Sequence, residues 1–245
     1  MIQYLSKIKP NIIVNLASST SYFKNKTKEE ANHYHNTFTS AVNLAECIDS
    51  KICKLAIFFG SIEEYGDCKL PKNENSKFKP LSIYGKYKRK ACLEVIKKLK
   101  KKNVNYLWIR PSLVYGDRDN KDRYLGYIIE RIKKNKEIII KPGKQIRDYL
   151  FIDDLIKIIV YFIKNFKTIF NFSLNISSKN FINLNQIPNK INNLIKKPIM
   201  FNILKNEKNF NKMQDNKKLV KILPQFNFTS FDKGFKKTLV REKII

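Results

Sequence analysis

Short apolar runs and amphipathic stretches alternate along this chain. Asn11–Ala17 (NIIVNLA) and Lys54–Phe59 (KLAIFF) are apolar runs bounded by polar residues, the pattern of strands buried in a parallel sheet. Between them, Thr27 to about Asp49 has helical periodicity, and Thr27 followed by Glu30 forms a capping-box pattern. A polar loop with Pro71 and Pro80 leads into a helix predicted from about Ile83 to Lys102. A strand at Asn105–Ile109 follows, stopped by Pro111. Further on, the pattern predicts a helix near Asp122–Asn135, a short strand at Glu137–Ile140, a helix opened by Asp153 and running to about Lys164, and a strand over Ile169–Ile176. Weaker helices are predicted near Leu184–Ile195 and Phe231–Val240. Alternating strands and helices imply an α/β fold with a parallel sheet.

The 245 residues suffice for one sizeable core, or a core with a smaller lobe. The run Leu155 to Ile163 is too short, and too interrupted by Lys157, to span a bilayer, so no membrane association is expected. The start, MIQYLSKIKPNIIVNLASS, lacks an apolar stretch followed by a cleavage site, so a soluble, cytoplasmic protein is expected. Cys47, Cys53, Cys68 and Cys92 form no CxxC pair, which predicts reduced thiols and no metal site. His33 and His35, two apart on a helix, point in different directions and read as surface residues rather than ligands.

The net charge of +28 admits two readings. One is a basic nucleic-acid-binding protein. The other, which we favour, is compositional: lysine far outnumbers arginine, accompanies much asparagine and isoleucine, and is spread over every segment. Nucleic acid is therefore not the expected partner. In either case the positive field attracts a nucleotide diphosphate.

Two constellations carry candidate chemistry. Tyr84 and Lys88, four apart on a predicted helix, lie on one face. An ammonium beside a phenol favours phenolate, which suits a general acid/base acting on a sugar hydroxyl. Ser61, in Phe58-Phe59-Gly60-Ser61-Ile62-Glu63-Glu64-Tyr65-Gly66, follows a predicted strand. Ligands of open parallel sheets bind at the carboxyl ends of the strands, where a serine can hydrogen-bond a substrate carbonyl. Glu63 and Glu64 are placed to contact substrate but read better as solvated loop residues, and Tyr65, Trp108 and Tyr115 read as core.

These segments, taken in order, resemble the extended short-chain dehydrogenase/reductase family, the NAD-dependent epimerases and dehydratases of nucleotide sugars. Pro10–Ala17 resembles its "PDVVIHLAA" strand, and Asn36 with Thr37–Glu46 its "N..GT.NLLEA" helix. Gly60–Gly66 resembles "SSS.VYG", Tyr84–Lys88 "YGxSK", and Arg110–Gly116 "RPxNVYGP". Gly143 with Arg147–Leu155 resembles "G...RDYIHVDDLA". Phe170 to Ile187 and Asp215 to Leu239 resemble the family's closing segments.

The resemblance implies an incomplete Rossmann-like parallel sheet flanked by helices, with a small C-terminal substrate-binding lobe. It implies a core over about residues 1–114 and 147–176 and a lobe over about 115–146 and 177–245. It implies Tyr84 as acid/base, Lys88 lowering its pKa and holding the nicotinamide ribose, and Ser61 orienting the sugar oxygen. Leu16, Ala17 and Ser18 would line the dinucleotide site, with Pro111 and Leu113 near the nicotinamide. Arg147 would contact substrate phosphates, where a guanidinium can bind two oxygens at once. Asp153 and Asp154 are expected to cap the helix that follows them. The implied cofactor is NAD or NADP, the substrate a nucleotide sugar, and a homodimer is possible within the family.

The family's glycine-rich GxxGxxG turn has no counterpart here. The seven glycines never show that spacing, and none precedes residue 60. By resemblance about fifty to sixty residues, carrying the pyrophosphate-binding helix N-terminus and the ribose-reading position, are lacking. That leaves open a catalytically impaired remnant, or half of a split enzyme whose complementing chain supplies the rest. It also predicts weak NAD binding by this chain alone, and an Asn11–Ala17 strand with one unpaired edge.

Overall fold

The computed structural model describes residues 2–20, 23–140, 144–168, 170–195, 199–204 and 210–245. Gly143 and Ile169, used in the sequence argument, lie outside the described residues. The elements are α1 (Ile2–Ile8), β1 (Ile12–Asn15), α2 (Lys26–His33), a π-helical turn (Tyr34–Thr39), α3 (Ser40–Cys47), β2 (Leu55–Phe59), a 3₁₀ turn (Ile62–Glu64) and α4 (Ile83–Lys101). Then come β3 (Tyr106–Pro111), β4 (Leu113–Tyr115), α5 (Tyr124–Lys133), β5 (Ile138–Ile140), β6 (Ile146–Phe151) and α6 (Ile152–Lys164). The chain continues with β7 (Phe172–Ile176), β8 (Phe181–Asn183), a 3₁₀ turn (Leu184–Gln186), α7 (Ile187–Leu194), β9 (Phe201–Ile203), α8 (Lys217–Ile222) and α9 (Phe231–Arg241). The α/β alternation expected from the sequence is present.

Two compact units form, residues 1–111 with 159–175 and residues 112–158 with 176–245. The first holds a sheet in the order β1-β2-β3-β7. β1 runs parallel to β2, pairing Ile13 with Ala56, and β2 runs parallel to β3, pairing Phe58 with Trp108. Among the described residues β1 is an edge strand, as expected. The two central strands are almost wholly buried, which is why KLAIFF reads as a continuous apolar run.

α4 buries Lys88, Ala91, Cys92, Val95 and Leu99, a stripe at three- and four-residue spacing. Ala91, Cys92, Val95 and Leu99 join Ala41, Ala45, Ala56, Phe58 and Trp108 in the apolar core of the first unit. The helix predicted from Thr27 exists, but its N-cap is Asn25, whose side chain accepts from the Lys28 amide at 3.1 Å. The predicted capping box at Thr27 is therefore not the one used. The π turn widens this helical run in its middle, before α3 resumes the regular pitch.

The second unit has a sheet in the order β4-β6-β8 and a parallel pair, β5 with β9. β4 and β6 are parallel, β6 and β8 antiparallel. Its core gathers Tyr115, Ile128, Phe151, Ile187, Ile191, Phe231 and Phe235. Asp153 and Asp154 sit in the first turn of α6, yet their carboxylates serve tertiary contacts rather than the expected caps. Asp153 accepts from both terminal nitrogens of Arg241 at 2.7 and 2.8 Å. Asp154 accepts from the Thr229 amide and hydroxyl at 2.7 and 2.9 Å. Among the described residues no helix is long and apolar enough to cross a membrane, and no cluster of three or more His, Cys, Asp or Glu could hold a metal.

Candidate active site

The carboxyl end of β2 delivers the chain into Gly60 and Ser61. Ser61 is extended (φ −159°, ψ 154°) and caps the 3₁₀ turn. Its hydroxyl oxygen accepts from the Glu63 amide at 3.2 Å, and the Glu64 carboxylate accepts from the Ser61 amide at 3.0 Å. This reciprocal capping box fixes the serine with its hydroxyl hydrogen still available as a donor.

Glu64 is fully buried, which overturns its reading as a solvated loop residue. It also accepts from Trp108 Nε1 and from Arg110 Nε, both at 2.9 Å, and Arg110 is itself buried. A buried carboxylate persists only when paired and hydrogen-bonded, and these donors from β3 meet that need. Gly60 makes room for it: a Cβ there would lie 2.0 Å from Glu64 Oε1 and 2.3 Å from Trp108 Nε1. Gly60→Ala is accordingly expected to cost about 1–3 kcal/mol of stability through overpacking. Urea denaturation checks this, and a midpoint equal to that of the parent would contradict it.

The N-terminus of α4 abuts the same turn. Ser82 caps the helix, its hydroxyl accepting from the Gly85 amide at 3.0 Å. Gly85 lets the backbone pass close to the Glu63 carbonyl, where a Cβ would stand 2.4 Å from the oxygen. Tyr84 thus occupies the first turn of α4, one turn ahead of Lys88 on the same face. The Lys88 ammonium donates to the Phe59 carbonyl at 2.7 Å and lies 5.8 Å from the Tyr84 ring centroid. Burial lowers the Lys88 pKa to about 8, against an opposing effect of the Glu64 charge.

His33 departs from the sequence expectation. It is fully buried, and its ring packs 5.5 Å from that of Tyr84. Its Nδ1 is 3.4 Å from the Thr37 hydroxyl, which is 3.3 Å from the Ser18 hydroxyl. Burial lowers the His33 pKa, Glu29 opposes that shift, and the Lys88 charge adds to it. His35, in the π turn, is exposed as expected. A one-turn spacing of His33 and Thr37 is the only sequence signal of this contact, and it does not say which helix face is covered.

The other predicted residues fall as follows. Leu16 and Ala17 are exposed just past the carboxyl end of β1, with the Ala17 amide donating to the Asn15 side chain at 3.0 Å. Ser18 is half-buried. Pro111 ends β3. Leu113 opens β4 in the second unit. Arg147, in β6 of that unit, donates to the carbonyls of Ile146 and Phe210 and to the Gln145 side chain. Tyr65, Trp108 and Tyr115 are buried, as their core reading requires. All four cysteines are free thiols.

A parallel sheet in the order β1-β2-β3-β7 flanked by helices is a Rossmann-like arrangement. The chain belongs to the NAD dependent epimerase/dehydratase family, whose model matches residues 1–176. It is 34% identical over 94 residues to a putative UDP-glucose 4-epimerase of Methanocaldococcus jannaschii, covering 36% of this chain and 30% of that protein. It is 33% identical over 54 residues to the CDP-abequose synthase of Salmonella muenchen, covering 22% of this chain and 18% of that protein. The aligned regions thus span less than a third of either curated relative.

Among solved structures, UDP-glucuronic acid 4-epimerase from Bacillus cereus, in complex with UDP-glucuronic acid and NAD, superposes with a TM-score of 0.86. Its identity is 22%, over 99% of this chain and 77% of that one. A dTDP-glucose 4,6-dehydratase from Bacillus anthracis, in complex with NAD, gives 0.84 at 17% identity, over 98% of this chain and 75% of that one. At these identities the likeness is one of fold.

Proposed function

We propose that this protein takes part in NAD(P)-dependent epimerisation, dehydration or reduction of a nucleotide sugar, with Tyr84 as the acid/base. What supports the reading is that Lys88, 5.8 Å from the Tyr84 ring, donates to the carbonyl of Phe59 at the carboxyl end of β2, two residues before Ser61. NAD, when bound, supplies the hydride acceptor. Ser61 orients the sugar oxygen through its hydroxyl hydrogen. Tyr84 takes the hydroxyl proton, or returns it, and the neighbouring ammonium of Lys88 favours the phenolate form. Arg147 is proposed to contact the substrate's phosphates.

The described residues fit the nicotinamide half of the cofactor. Lys88 offers a buried cationic donor, and Leu16 and Ala17 leave the chain exposed beyond β1. Leu16, Ala17, Ser18, Pro111 and Leu113 are proposed to line the dinucleotide. Within these 245 residues no GxxGxxG spacing occurs, and the first glycine is Gly60.

The reading is tested by incubating the protein with NAD or NADP and UDP- or CDP-linked hexoses, following products by NMR. Conversion of at least one nucleotide sugar is expected when the pyrophosphate-binding part is supplied. The 245-residue chain alone is expected to bind NADH orders of magnitude more weakly than a family member with a glycine-rich turn. Several charge-assisted hydrogen bonds at about 1.5–3 kcal/mol each are missing. Calorimetric titration checks this, and micromolar binding would show that other residues hold the pyrophosphate.

A further inference from the structure

We propose that Glu64 is a positioning residue of this site: one buried carboxylate fixes the Ser61 turn through the Ser61 amide, and its charge acts on the Lys88 ammonium bound to the Phe59 carbonyl just before that turn. The inference rests on the roles proposed above for Tyr84, Lys88 and Ser61.

Three N–H donors converge on Glu64. Ser61 N and Trp108 Nε1 both reach Oε1, at 3.0 and 2.9 Å, and Arg110 Nε reaches Oε2 at 2.9 Å. Trp108 and Arg110 stand on β3, so the carboxylate links that central strand to the turn carrying Ser61. The linkage demands a carboxylate. All three partners only donate, and an amide offers one acceptor oxygen and turns an NH2 group toward the remaining donors. An aspartate is one methylene shorter and cannot keep both β3 and the Ser61 amide within hydrogen-bond reach.

The charge matters as much as the reach. The charge of Glu64 acts on Arg110, Tyr65, Cys92 and Lys88, and Glu74 and Arg89 act on Tyr65 and Cys92 in the same region. Those around Lys88 are Glu64, the Tyr84 ring and His33. The Glu64 carboxylate pairs directly with the buried Arg110 at 2.9 Å, and its charge raises the Lys88 pKa. Without it, two buried cations share the region. Burial already brings the Lys88 pKa down to about 8 while Glu64 opposes the fall. Loss of the carboxylate therefore moves Lys88 titration to lower pH, and the alkaline limb of activity with it.

The deciding measurement is the pH titration of Lys88 by NMR of [13C]lysine-labelled full chain, its signal assigned by disappearance in Lys88→Arg. In Glu64→Gln the midpoint is expected to fall by about one pH unit, a tenfold change in the ammonium-to-amine ratio. Glu64→Asp keeps the charge, so its midpoint is expected to stay with the parent's, while hydrogen exchange of the Ser61 amide speeds up about tenfold as that bond is lost. Circular dichroism establishes folding first, and Glu64→Asp provides the test should Glu64→Gln not fold. An unchanged Lys88 midpoint in Glu64→Gln overturns the charge role. In Glu64→Asp, unaltered Ser61 exchange overturns the holding role, and a shifted Lys88 midpoint overturns the charge role. Neither readout needs turnover. Loss of turnover on Tyr84→Phe is a separate arm: its absence would remove the site assignment while leaving the Lys88 titration to be judged alone.

Discussion

Replacing Tyr84 with phenylalanine is expected to lower kcat on a nucleotide sugar by about 10²–10⁴-fold, the contribution of a positioned general acid/base. At 1.36 kcal/mol per decade this is roughly 3–5 kcal/mol of barrier. The substitution removes only the phenolic oxygen. The ring stays, and with it the packing against His33 at 5.5 Å and the contact with the Lys88 ammonium at 5.8 Å. Folding and NADH affinity should therefore be retained, so the loss falls on kcat rather than KM. The pH profile supplies an independent check. Lys88 titrates near pH 8, so its positive charge is present below that pH and is lost above it. The parent's rate should accordingly decline through the region around pH 8 as support for the phenolate disappears. A Tyr84→Phe rate equal to the parent's would remove the acid/base role from this tyrosine.

Asp148→Asn is expected to stabilise the protein at pH 8 and to leave it little changed near pH 4. Asp148 stands on β6 in the second unit, fully buried, with the Ser177 hydroxyl donating to Oδ2 at 2.6 Å. Burial raises its pKa from 3.8 to about 7, and hydrogen bonds, that of Ser177 first, only partly offset the rise. The folded state therefore holds a proton on this group between pH 3.8 and about 7, where the unfolded chain has released it. Stability from this group is greatest below the unfolded pKa, falls as pH rises through that window, and levels off above it. The full swing is roughly 4 kcal/mol at 1.36 kcal/mol per pH unit. Asparagine keeps an oxygen for Ser177 and cannot ionise, so the difference between variant and parent should grow from pH 4 to pH 8. Urea denaturation at the two pH values measures it. A difference that stays constant across the range would mean that Asp148 does not titrate as its burial requires.

Much of the first unit was legible in the chain. NIIVNLA and KLAIFF read as parallel strands because strands enclosed on both faces need apolar side chains at every position, not alternate ones. The helix bearing Tyr84 and Lys88 was legible from periodicity, and the same period set the two residues one turn apart. The elements that escaped notice were α1, α8 and the short strands β4, β8 and β9, together with β6. Three residues carry too little pattern to separate strand from loop, and IRDYLF in β6 does not alternate cleanly.

The polar half of the site was not legible in the same way. Sequence alone determined that a tyrosine, a lysine and a serine stand near the ends of strands and the start of a helix, because local periodicity and turn chemistry act over a few residues. It could not determine that Glu64 and His33 are buried. A charged residue in a loop is solvated unless donors arrive from elsewhere, and those of Glu64 come from Trp108 and Arg110, 44 and 46 residues further on. His33 was assigned to the surface because a helix shows two faces and only the packing of α4 chooses between them. Asp148 is the same case in the second unit, its partner Ser177 lying 29 residues away. Burial of a polar group is decided by such distant partners, since the desolvation cost is offset only where tertiary folding brings a donor within about 3 Å.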